Sequence, residues 1–68
     1  MTKEAKAMIN MAMSIAEING VLIDRMDLQR HTSKYGMEWY HLDVWYTDSK
    51  EITIREDCTI VIKDQKTT

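Results

Sequence analysis

His41 and Asp43 stand two residues apart in the run Met37-Glu38-Trp39-Tyr40-His41-Leu42-Asp43-Val44-Trp45-Tyr46, and they are the pair best spaced to do chemistry. On an extended strand, residues two apart project to the same side, about 6–7 Å from each other. At that separation they could share a metal ion, or the carboxylate could favour the charged imidazole. A metal would need more ligands. The remaining donors, His31, Asp57 and Cys58, show no metal-site spacing. We therefore expect a solvated or hydrogen-bonded histidine, with no metal and no cofactor.

Nucleophilic chemistry is equally poorly provided for. Cys58 follows Asp57, whose charge disfavours a thiolate, and it alternates with Ile60 and Ile62 as a small inward-facing apolar residue would. The chain has only 2 glycines, and no phosphate-cradling loop or nucleophile with a paired base is visible. The reading is a non-enzymatic protein.

Two kinds of binding surface remain. Alternation along residues 37–47 puts Tyr40, Leu42, Val44 and Tyr46 on one face, and Met37, Trp39, His41, Asp43 and Trp45 on the other. The first set is the better core. The second would then present two tryptophans bracketing His41 and Asp43, and tryptophan is a frequent anchor in protein interfaces. The competing surface is basic: Arg25, Arg30, His31 and Lys34 lie near Tyr35 and Trp39, as in proteins that hold single-stranded nucleic acid by phosphate pairing and base stacking. Asp24 and Asp27 in the same stretch offset that charge, and 9 Lys and Arg against 11 Asp and Glu give a formal net charge of −2, so nucleic acid is the alternative reading.

The elements that position these residues can be read from composition and stop signals. Residues 3–19 are rich in Ala and Met and free of Gly and Pro, which predicts a helix. Thr2 is its expected N-cap and Asn19-Gly20 its left-handed stop, with Glu4 favourably placed in the first turn and Glu17 unfavourably near the end. Beyond it the composition turns to Val, Ile, Thr, Tyr and Trp, predicting strands at about 21–31, 37–47, 51–55 and 58–63. Short polar separators make neighbouring strands antiparallel. The expected fold is one α+β domain over residues 1–68, an N-terminal helix packed on a four-stranded antiparallel meander (α-β-β-β-β). Ile52, Ile54, Ile60 and Ile62 should face the helix, and the polar residues 64–68 should form a frayed tail.

On a helical wheel the apolar side spans roughly 220°, from Ile18 and Met11 through Met8 and Ala12 to Ile9 and Met13. A helix lying on one sheet needs little more than about 100°. One flank, marked by Met11 or Met13, is therefore expected to meet another protein or a second copy of the chain. A chain of 68 residues with one cysteine has no internal disulfide to make up for a small core, which also favours a homodimer.

The single Cys58 suggests a reducing, cytoplasmic setting. Lys3 and Lys6 ahead of Met8 to Ala16, with Ser14 and Ala16 as a small-x-small pair, imitate a signal peptide, but Asn10 and Ser14 interrupt its apolar stretch. No run is long enough to span a membrane. The functional expectation is a small protein-interaction module, acting as a regulator or inhibitor of another protein, with Trp39, His41, Asp43, Trp45, Met11 and Met13 as its contact residues.

Overall fold

A computed structural model describes residues 2–63 and contains one helix and one sheet, α1 (Lys3–Asn19), β1 (Ile23–Thr32), β2 (Glu38–Tyr46), β3 (Glu51–Arg55) and β4 (Ile60–Lys63). The strands are antiparallel in the order β1-β2-β3-β4, and α1 lies across one face. The expected α+β meander is the observed fold. Residues 64–68, read as a tail, lie outside the described residues. No described helix is long and apolar enough to cross a membrane.

The helix begins and ends where its cap residues allow. The Thr2 hydroxyl accepts a hydrogen bond from the Ala5 N–H at 3.1 Å, satisfying one of the donors a helix start leaves open. Gly20 closes the other end at φ 65°, and its N–H donates to the carbonyls of Ala16 and Glu17. This left-handed conformation is nearly free for glycine and unfavourable for residues with a Cβ.

The three hairpins share one turn geometry. In each, an N–H donates back three residues, from Gly36 to Ser33, Ser49 to Tyr46 and Cys58 to Arg55. The donating residue is left-handed, at φ 83°, 68° and 67°. A second bond then closes the loop, from the N–H of Ser33, Tyr46 and Arg55 to the carbonyl of Met37, Lys50 and Thr59. This is a tight turn followed by a left-handed bulge residue, a pattern that suits the twist of antiparallel strands. Only the first hairpin uses glycine at the left-handed position.

That turn corrects the reading of Cys58. Cys58 does not alternate with Ile60 and Ile62 in a strand, because it occupies the left-handed bulge and β4 starts only at Ile60. The start of β1 also moves, from 21 to Ile23, because the chain leaving Gly20 first ties itself across to Thr47. The Leu22 N–H donates to the Thr47 hydroxyl at 3.1 Å, and the Thr47 N–H donates to the Leu22 carbonyl at 3.0 Å. A bulge follows at once, since Ile23 pairs with Tyr46 and Arg25 already with Trp45.

The core lies between α1 and the middle strands. Ala5, Met8, Ala12 and Ala16 are buried against Leu42, Val44, Tyr46, Ile52 and Ile54. The alanines let the helix approach closely, and Met8 fills the space between them. Tyr46 is buried with its polar tip satisfied, its hydroxyl donating to the Ala12 carbonyl at 2.8 Å across the helix–sheet interface. Burial, with Asp48 nearby, pushes the Tyr46 phenol above its usual value and keeps that donor proton in place. Ile60 and Ile62 sit on the helix side, opposite Ile54 and Ile52, as their alternation implies. They are nevertheless 40% and 70% exposed, because α1 packs on β1, β2 and β3 and stops short of β4.

Two stability outcomes follow. Ile54→Ala removes a fully buried side chain and should cost about 2–5 kcal/mol in urea unfolding, whereas Ile62→Ala should cost less than about 1 kcal/mol; equal losses would mean that α1 reaches β4. Ser49→Gly relieves an exposed left-handed residue and should stabilise by up to about 1 kcal/mol on the same measurement.

Candidate functional site

The face turned away from α1 is built entirely from odd-numbered strand residues. From Arg25 onward, past the bulge that sets Ile23 opposite Tyr46, cross-strand partners join odd to odd, as in Asp27 with Asp43, Asp43 with Thr53 and Thr53 with Val61. Directly opposed residues lie on the same face of a sheet. Since Leu42, Val44 and Tyr46 point into the core, Trp39, His41, Asp43 and Trp45 must point away from it. No other described element covers that side.

At its centre is a connected polar chain. Asp43 accepts from the Thr53 hydroxyl at 2.7 Å through Oδ1, while its Oδ2 lies 3.2 Å from His41 Nε2. The other nitrogen of the same ring, His41 Nδ1, is 2.5 Å from His31 Nε2. Lys63 stands 3.8 Å from both Asp43 and Glu51. Burial would push the Asp43 carboxyl up. The Thr53 and His41 hydrogen bonds, with the charges of His41 and Lys63, outweigh it and hold the carboxyl below its ordinary 3.8.

Asp43 also faces a like charge directly, since Asp27 is its cross-strand partner. Two carboxylates at that spacing repel. They are turned to separate donors, Asp43 to His41 and Thr53, and Asp27 to the Gln29 side-chain amide.

The aromatic residues frame this chain differently at its two ends. His31 stacks between Trp39, with ring centroids 5.5 Å apart and planes 16° from parallel, and His41, at 4.6 Å and 27°. Trp39 is 44% exposed and forms the rim. Trp45, in contrast, is half-buried beneath Arg25, whose guanidinium lies 4.1 Å from its ring centroid. The two tryptophans are therefore not equivalent: one is open, and the other is capped by a cation. Beside Trp39 a shallow cavity of about 640 Å³ runs along His41, Thr53, Arg55, Val61 and Lys63.

The structure separates the remaining candidate residues. Met11 packs against the core, whereas Met13 is 55% exposed on the opposite helix flank, so of the two methionines Met13 is the open one; Ile18, beside Met11 on the wheel, is 82% exposed. The basic cluster does not assemble. Arg25 lies over Trp45 on the open face, Arg30 pairs with Tyr40 on the helix side, and Lys34 sits over Tyr35 in the first hairpin loop. Among the described residues, no group of three or more His, Cys, Asp or Glu converges as metal ligands.

Fold and site together define a one-helix α+β protein with an open aromatic and charged sheet face. A scan against protein families and searches of curated proteins and of solved structures find no match for this chain.

The linkage of Asp43 to stability has a definite sign. A carboxyl held low in the folded state contributes stability that is complete above its unfolded value of about 3.9 and is lost as pH falls through the folded value. The gap in urea midpoint between the wild type and Asp43→Asn should therefore be full above about pH 5 and narrow below about pH 4. A gap that does not change with pH would show that the carboxylate network contributes nothing to folding.

Proposed function

We propose that the chain is a non-enzymatic binding module that docks another protein on its open sheet face and acts as a regulator or inhibitor of that partner. The observation that carries this reading is a solvent-facing side of the sheet on which an exposed tryptophan borders a hydrogen-bonded polar network. Protein interfaces favour such mixtures, with rigid aromatic anchors and polar groups already held in place.

The charges support a protein over a polyanion. Arg25, Arg55 and Lys63 alternate with Asp27, Asp43 and Glu51 across the open face, so it presents both signs at close spacing. A nucleic-acid surface would concentrate one sign, and the cations of the nucleic-acid alternative, Arg25, Arg30 and Lys34, lie in three different places. The exposed apolar edges at Met13 and at Ile60 and Ile62 support the further reading of a homodimer, which sedimentation at increasing concentration tests.

Trp39 is the expected anchor, with Trp45 secondary because Arg25 covers it. With the purified chain as bait in an extract of its host cells, a partner should be retained by the wild type and by Met13→Lys. Trp39→Ala should lose it, with affinity falling roughly thirty-fold or more. Loss with Met13→Lys and retention with Trp39→Ala would move the site to the helix flank. Binding of a single-stranded oligonucleotide that weakens steeply between about 50 and 200 mM salt would favour nucleic acid instead.

A further inference from the structure

The contact between His31 Nε2 and His41 Nδ1 is the one place on the open face where two titratable rings meet nitrogen to nitrogen. A hydrogen bond there requires one nitrogen to carry the proton and the other to offer a lone pair. His41 is fixed from behind, because its Nε2 donates to Asp43 and Asp43 is itself held by the Thr53 hydroxyl. In the neutral protein His41 Nδ1 is thus the acceptor and His31 Nε2–H the donor. One added proton leaves the junction intact, since an imidazolium on either ring still places a single hydrogen between the two nitrogens. A second proton puts N–H against N–H and two positive charges at 2.5 Å.

We propose that His31 and His41 act as one proton-sharing switch in the open face, closed with no or one added proton and opened by the second. Because Asp43 retains His41, His31 is the ring that leaves. Its departure removes the stack on Trp39 and reshapes the rim of the face. Falling pH therefore changes the surface at Trp39 while the core, on the other side of the sheet, is untouched.

The charged groups that face the pair come from all four strands and from the β3–β4 turn. From β1, Arg25 and Asp27 share this face; β2 supplies Asp43, β3 supplies Glu51 and Arg55, and β4 supplies Lys63. Glu56 and Asp57, in the β3–β4 turn, line the same cavity as His41. Arg55 is the cross-strand partner of His41. The helix lies on the opposite face and adds no charge here. The inference goes beyond the binding reading and holds whether or not a protein docks on this face.

Long-range ¹H–¹⁵N NMR of the imidazole nitrogens in the full chain, followed from about pH 8 to about pH 4, tests it. The expected result is two steps separated by more than about one pH unit. Both rings should respond in the first, and the Trp39 indole signal should move only in the second. In His31→Gln, His41 should titrate in one step with no accompanying change at Trp39. A wild type whose two histidines titrate independently in the same step would overturn the proposal, as would a Trp39 signal that moves with the first proton. If His31→Gln does not fold, the wild-type titration alone decides between these outcomes.

Discussion

The hydrogen bond from the Tyr46 hydroxyl to the Ala12 carbonyl joins the helix to the sheet at a point that settles the orientation of everything else. With Tyr46 turned inward, strand pleating sends Val44 and Leu42 inward too, and Trp45, Asp43, His41 and Trp39 outward. The three hairpins then transmit that choice across the sheet, because from Arg25 onward each pairs residues of like parity. One residue gained or lost in any loop would reverse the faces of the strands beyond it. The two non-glycine left-handed residues, Ser49 and Cys58, are tolerated at positions where the closing bonds of the turn depend on them.

A single helix cannot cover a four-stranded sheet. It packs on β1, β2 and β3, leaving Ile60 and Ile62 of β4 exposed, and it leaves the far face without any cover. The two uncovered regions have different chemistry. The helix-side margins are apolar and resemble unfinished core, whereas the far face is polar, aromatic and internally hydrogen-bonded. Its histidines, carboxylates and tryptophan are positioned by strands and not by loops, which keeps them rigid at a separation set by the sheet itself. That rigidity underlies both the docking role proposed for this face and the proton sharing between His31 and His41.

Much of this was legible in the residues alone. The cap residues Thr2 and Gly20 bound the helix, and the inward set Tyr40, Leu42, Val44 and Tyr46 follows from alternation and apolarity. What alternation cannot supply is the register between strands. It places His41 beside Asp43, but only the closing of the first hairpin at Ser33 and Met37 brings His31 opposite Trp39 and within reach of His41. His31 therefore reads as one more base of a hairpin cluster until the register is known. The same limit hid the Arg25 cover on Trp45, which depends on a bulge at Asp24. Cys58 misleads for a different reason: its spacing from Ile60 matches a strand, while the turn conformation that claims it is usually signalled by glycine or asparagine.

The central claim is that α1 covers the tyrosine face of β2 and leaves the tryptophan face open. Nuclear Overhauser contacts from the aromatic rings test it most directly. The account predicts contacts from the Tyr46 ring to methyl groups of α1, and none from Trp39 or Trp45 to any residue of the helix. Contacts from either tryptophan to the Ala5, Met8 or Ala12 methyls, with Tyr46 silent toward the helix, would contradict it.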